Sequence, residues 1–282
     1  MSTVQVEQWI TGTLMREGAG VKLHRYIGAD RQNNFDPILL FDVFNSEDPM
    51  DYIGGFPAHP HRGFETVTYL LHGQIEHTDN HGHHGLIQSG DVQWMTAGRG
   101  IIHSEMPKQS SGRLSGLQVW FNLPATDKLC EPRYQEFNAG QLPLEQDASG
   151  LRVKVIAGKT AKGTQSPLHD IVTQPLFLDI QMPRDIEFNQ TLLVTHQSLL
   201  FTCEGEVAII TSNGEEQVVK KGMLVGLSQG DSLTLKGKSD ENQCLLIAAK
   251  KLNEPVERLG PFVMNTHDEI MQAIDDFRNN RF

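Results

Sequence analysis

The chain never runs far without a turn. Short apolar runs such as ILLFDVF (38–44), ETVTYLL (65–71) and LSGLQVWFNL (114–123) are each cut off by polar, glycine or proline positions, and the pattern returns in PLFLDIQM (175–182) and CLLIAAK (244–250). With 26 Gly and 13 Pro in 282 residues, that grammar favours β structure with many turns over long helices. It also repeats. Gly73 in LLHGQIEH stands seventeen residues before Gly90 of SGDVQWM, and Gly205 in TCEGEVAI stands seventeen before Gly222 of KGMLVGL. One β-barrel unit present twice accounts for both. The stretch NAGQLPLEQDASG reads as a linker over 138–150, leaving a first barrel over 1–137, a second over 151–250 and a tail over 251–282. In the tail, Thr266 and Glu269 fit a helix capping box, and Ile270, Ala273, Ile274 and Phe277 recur at helical spacing. That amphipathic face predicts a C-terminal helix packing on the barrels.

A formal charge of -11 argues against direct nucleic-acid binding, which needs clustered Lys and Arg. The opening MSTVQVEQWITGTLMREG lacks the apolar core of a signal peptide, and no stretch approaches the ~18 apolar residues of a membrane span. Cys130, Cys203 and Cys244 are odd in number and far apart, which reads as reduced buried thiols and a cytoplasmic address.

Eight of the twelve histidines fall between His59 and His103. His59 and His61 flank a proline at the start of a strand pattern, and strand alternation points both to one side. A second such pair, His103 and Glu105, lies in GRGIIHSEM. Two pairs on neighbouring inward-facing strands could converge on one first-row transition metal, with Fe, Mn, Ni, Cu and Zn all compatible with three imidazoles and a carboxylate. A six-coordinate ion would then keep two open positions, as catalysis needs. Glu65 competes for the carboxylate role, being four residues after His61, unless a bulge at Gly63 turns it away. It would otherwise accept a hydrogen bond that orients a ligand histidine. DNHGHHG reads as a hairpin tip, which makes His81, His83 and His84 solvated; His77 in its strand could line the interior. His72 before the Gly73 turn faces solvent, and His24, His169, His196 and His267 stand isolated.

The run G-x4-H-P-H-x3-E-x7-G from Gly54 to Gly73 resembles the first cupin motif. Gly90 through Glu105 is similar to the second, with departures: Thr96 at the usual proline position, a histidine two residues late, and Glu105 in place of a polar residue. With GGFPAHPHRGFETVTYLL, DVQWMTAGRGIIHSEMP and GPFVMNTHDEI, those departures resemble the pirin family almost end to end. The resemblance implies an all-β fold of two tandem cupin (double-stranded β-helix, jelly-roll) barrels with a short C-terminal amphipathic helix. It further implies one iron, Fe(II), held by the residues matching His59, His61, His103 and Glu105, which decides for Glu105 over Glu65. The second barrel is expected to be metal-free. The implied address is cytoplasmic, or nuclear in a eukaryote.

Several pirins are flavonol (quercetin) 2,3-dioxygenases, so the resemblance implies an aromatic flavonol substrate and O2, with carbon monoxide released on ring opening. Glu105, or failing it Glu65, would take the flavonol proton. Phe56, Phe64, Trp94, Met95 and Met106 would form an apolar collar, with core packing the alternative for Trp94 and Met95. The competing class is a metal-dependent regulator of a protein partner, as for the animal pirin in NF-kappaB transcription or bacterial members that bind pyruvate dehydrogenase. A monomer is expected. The repeat offers its own check: the glycine alignment sets Thr191, Leu193 and Gln197 against His59, His61 and Glu65, and Leu235 and Gly237 against His103 and Glu105. No ligand survives there.

Overall fold

The computed structural model describes residues 2–29 and 35–282, which are mainly β-strand, with one α-helix, His267–Arg278. Two compact units divide them: Thr13–Ala139 with Leu252–Phe282, and the chain up to Gly12 with Gly140–Lys251. Each unit holds one barrel made of a seven-stranded and a four-stranded antiparallel sheet.

In the first barrel the larger sheet runs Arg133–Phe137, Val92–Thr96, Phe64–His72, Leu114–Asn122, Ile38–Ser46, Val21–Ile27, Thr13–Glu17. In the second it runs Val6–Ile10, Leu224–Leu227, His196–Glu204, Glu241–Lys250, Leu176–Pro183, Arg152–Ala157, Leu144–Gln146. The smaller sheets also match strand for strand. Phe56–His61, Ile101–Pro107, Gln74–Asp79 and His84–Gln88 form one; Glu187–Thr191, Ser232–Gly237, Glu206–Ile210 and Glu216–Lys220 form the other.

The boundaries differ from the contiguous ones expected. Val6–Ile10 pairs with Leu224–Leu227 and so completes the second barrel, at the edge that Arg133–Phe137 covers in the first. Arg133–Phe137 and Val6–Ile10 are thus the outermost strands of the two sheets, supplied one from each end of a barrel's sequence. Leu144–Gln146, inside the expected linker, is likewise an edge strand on Arg152–Ala157. The tail joins the first barrel. Val263 donates its backbone N–H to Arg62 O (3.0 Å), and the Arg62 guanidinium pairs with Asp276 (2.7 Å) and lies 4.3 Å over the Phe282 ring.

The helix begins as its sequence demands, with Thr266 Oγ1 accepting from Glu269 N while a Glu269 carboxylate oxygen accepts from Thr266 N. Ile270 and Ala273 bury against Phe262 and Met264, whereas Phe277 stays partly exposed. Gly63 lets tail and barrel meet. Its φ is +86°, and a Cβ there would stand 2.0 Å from Val263 O, so only glycine fits. Lys128, buried below, donates to Gly63 O, Asn122 Oδ1 and Val263 O at 2.8, 2.6 and 3.0 Å.

The interiors differ. The second barrel is filled by one continuous apolar cluster including Phe188, Leu192, Leu200, Ile209, Leu233, Leu235 and Leu246. In the first, smaller clusters, one around Leu23, Phe44, Leu70 and Ile75 and others around Phe64–Trp120 and Met95–Ile101, stand apart. Polar side chains occupy the space between them.

Candidate metal centre

His59 and His61 come from the strand Phe56–His61, and His103 from Ile101–Pro107, where it sits directly across from His59. Strand alternation and this register turn all three imidazoles to the interior. Their ring centroids form a triangle of 4.7, 4.5 and 5.0 Å, and their donor nitrogens lie within 4.8 Å of one another. His59 Nδ1 bonds Pro57 O at 2.8 Å, which fixes Nε2 as the free nitrogen. Both nitrogens of His61 and both of His103 are buried with no hydrogen-bond partner. Burial holds His61 well below the usual imidazole range and brings His103 down to about 4 against the opposing pull of the Glu105 charge. Both rings are therefore neutral at pH 7, with lone pairs available. Unpartnered polar atoms are rare in folded interiors and cost about 1–3 kcal/mol each. Convergent, neutral and unpartnered imidazoles fit a transition metal.

Glu105 lies on the wall of the same cavity but outside the imidazole group, held by other partners. Thr68 Oγ1 donates to its Oε1 at 3.1 Å, and Gln118 Nε2 to its Oε2 at 2.9 Å. Trp120 Nε1 donates to Gln118 Oε1 at 3.0 Å, which fixes the amide so that its NH2 faces the carboxylate.

Glu65 is elsewhere. The chain turns a corner at Arg62–Gly63, leaving the four-stranded sheet for the seven-stranded one, and the alternation shifts by one residue. Phe64, not Glu65, meets His61, at 5.1 Å between rings. Glu65 instead accepts from Thr96 Oγ1 at 2.7 Å, its other oxygen has no partner, and burial raises it to about 7. It orients none of the three imidazoles.

A cavity of about 410 Å³ opens beside His59, His61 and Glu105. Its apolar wall is Leu23, Leu40, Phe44, Phe56, Ile75 and Trp120; its polar rim is Glu17, Arg25, Asp42 and Arg258, the last contributed by the tail. Of the expected collar only Phe56 lines it. Phe64 backs His61 and Trp120, Trp94 stacks on Phe121, and Met95 packs with Ala97 and Ile101. Met106 sits against Gly55 outside the lining. Gln118 and Trp120 were the residues sequence reasoning passed over, although a lone glutamine inside LSGLQVWFNL was a visible signal.

The hairpin histidines divide. His81 is exposed and His84 reaches Glu76 at 3.1 Å, but His83 turns inward to Tyr134 and Glu136, correcting its reading as solvated.

In the second barrel the glycine alignment slips. Leu235 stands across from Ile209 as Glu105 does from His77, and Leu233 across from Gln190 as His103 does from His59. Leu192 N donates to Asp231 O, setting Leu192 at the place of His61. The matching set is thus Gln190, Leu192, Leu233 and Leu235, not Thr191, Leu193, Leu235 and Gly237. The connection from Gly222 to Leu233 is two residues shorter than that from Gly90 to His103, which moves the set along Ser232–Gly237 without changing its face; on Glu187–Thr191 the slip is one residue, which exchanges faces.

Family models described as pirin and as the pirin C-terminal cupin domain match residues 20–121 and 177–282. A pirin-like protein of Caulobacter vibrioides is 41% identical over 273 residues, covering 97% of each chain. Human pirin is 43% identical over 265 residues, covering 93% of this chain and 88% of its own. A solved structure of quercetin 2,3-dioxygenase from Acinetobacter baumannii superposes with a TM-score of 0.89 at 30% identity, covering 100% of this chain and 99% of that one.

Proposed function

The chain belongs to the pirin family, and from that premise and the geometry of the first barrel we propose that it is an iron-dependent flavonol 2,3-dioxygenase. The observation that carries the reading is the convergence of His59 with the buried, unpartnered imidazoles of His61 and His103, beside an aromatic-walled cavity that His59, His61 and Glu105 line. The kinship with a quercetin 2,3-dioxygenase supports it.

His59, His61 and His103, with Glu105 as fourth donor, would hold Fe(II), which when bound supplies the redox chemistry by which dioxygen opens the flavonol ring. The protein's part is binding, orientation and proton handling. Phe44, Phe56 and Trp120 offer a planar aromatic substrate faces to pack against. Arg25, held by Asp42 at 2.7 Å, and Arg258, 4.8 Å over Trp120, give hydroxyl and oxo groups a polar end to the cavity. Glu105 is the base. Gln118 and Thr68 hold its carboxylate in place by hydrogen bonds, and among the described residues no Arg or Lys pairs with it, so it can accept the proton of the flavonol hydroxyl.

The test is quercetin turnover by purified protein, with carbon monoxide measured, against added Fe(II). Iron-dependent carbon monoxide release is expected. Metal-loaded protein that releases none would overturn the enzymatic reading in favour of a metal-dependent binding protein.

A further inference from the structure

The interior of the first barrel holds a second group of metal-ligating side chains that takes no part in the chemistry above. His77 stands on the strand Gln74–Asp79, His83 at the hairpin tip that follows, and Glu136 on the edge strand Arg133–Phe137. His77 Nε2 is 2.6 Å and His83 Nε2 3.4 Å from the same Glu136 oxygen, and the three donor atoms lie within 4.8 Å of one another. His77 is fully buried, its Nδ1 has no partner, and His83 Nε2 makes no hydrogen bond.

The surroundings hold these groups in place. Gln93 Nε2 donates to Glu136 Oε1 at 2.6 Å, and Tyr134 stacks on His83 with centroids 4.3 Å apart. Gly85 lies directly across from His77, and a Cβ there would come within 2.5 Å of His77 Nε2 and 3.0 Å of Glu136 Oε2. Its backbone is not left-handed, so what the missing side chain provides is room. Both imidazoles thus point at one carboxylate inside a space kept clear by a glycine, with His83 partly open to solvent as an entry.

We propose that His77, His83 and Glu136 form a second transition-metal site, suited to a zinc-type divalent ion and separate from the imidazole triad. Two imidazole nitrogens and one carboxylate oxygen make a three-ligand set that leaves a fourth, exchangeable position for water. On binding, the His77 proton moves from Nε2 to the unpartnered Nδ1, which frees the Nε2 lone pair, and metal–nitrogen and metal–oxygen bonds replace the N–H···O contact. Gln93 and Tyr134 are positioning residues, orienting the carboxylate and the His83 ring. Under zinc the chain carries two ions, both in the first barrel, rather than the one expected from sequence.

Zinc alone is the probe. A His61→Ala/His103→Ala chain, with the triad disabled, is dialysed against zinc and measured by elemental analysis and by anomalous diffraction at the zinc edge. The expected result is one retained ion, with its peak among His77, His83 and Glu136. That ion is lost when His83→Asn or Gly85→Ala is added. No zinc peak at these residues, or retention unchanged by His83→Asn, overturns the proposal. If the double variant does not fold, the unaltered chain gives the same decision: two zinc ions falling to one on His83→Asn support the site, and one ion confined to the triad refutes it.

Discussion

The two barrels share a strand order and differ in what their matching strands point inward. Where the first presents His59, His61, His103 and Glu105, the second presents Gln190, Leu192, Leu233 and Leu235, with the leucines in one apolar cluster. Burying a leucine contributes about 1.5–3 kcal/mol, while an unpartnered buried polar atom costs about 1–3 kcal/mol. At these four positions the second barrel makes the more favourable burial, and the first forgoes it to bring imidazoles together. Part of that loss is offset by the clamp that the second lacks at this place: the Arg62–Asp276 pair, the capped helix and the three bonds of Lys128 all brace the corner beside His61. Gln190 shows how a polar residue is accommodated without a ligand, since its amide bonds Ala161 N, Lys159 O and Thr191 O.

Making the first barrel resemble the second tests this contrast. The largest effect is expected from His61→Ala or His103→Ala. Iron binding and turnover should both vanish while cooperative unfolding persists, because apolar strands and not the ion hold the barrel. Elemental analysis, turnover and a denaturant melt read this together, and a metal-free variant with full turnover would refute the role of the ion. Next, Glu105→Gln should lower turnover by about 10²–10⁴-fold, the usual worth of a positioned base. Metal affinity should fall with it. The amide also sets an NH2 against the fixed NH2 of Gln118, so compensation by rotation is blocked on that side.

Glu65→Gln installs the residue that the second barrel carries at the matching place, Gln197. Iron should be retained, because Glu65 touches Thr96 and not the imidazoles. The effect belongs to stability. Glu65 keeps its proton in the fold up to about pH 7, whereas an unfolded glutamate loses it near 4.5. The contribution of Glu65 to stability is thus fully present below pH 4.5 and is lost as pH rises to about 7, by roughly 3 kcal/mol. Denaturant melts at pH 5 and pH 8 should differ less in the variant than in the wild type. An unchanged difference would show that the buried carboxyl is not the source. The smallest effect is expected from Gln118→Leu, which removes the donor that holds Glu105 and should weaken iron affinity or turnover by roughly 10–100-fold. A simple packing role would instead lower stability and leave iron affinity unaltered.

Much of the architecture was legible in the chain. Turn residues between short alternating runs allow little but a β-rich fold, the repeated glycine spacing announces two copies, and the Thr266–Glu269 box sets a helix start. These are local rules, each satisfied within a few residues. The three histidines were legible for the same reason: an i,i+2 pair shares a face wherever its strand runs. What the sequence could not carry is pairing between distant segments. VEQWI bears no mark that it closes the second barrel, nor LEQ that it leaves the linker to become an edge strand. Nothing in Glu65 tells that a corner at Gly63 turns it from the imidazoles. His83 reads as a solvated tip until Arg133–Phe137 brings Tyr134 and Glu136 beside it. Composition and alternation determined the strands and the faces they bury; register, corners and the edges taken by remote strands were decided only in the folded molecule, because each depends on contacts whose partners lie far apart along the chain.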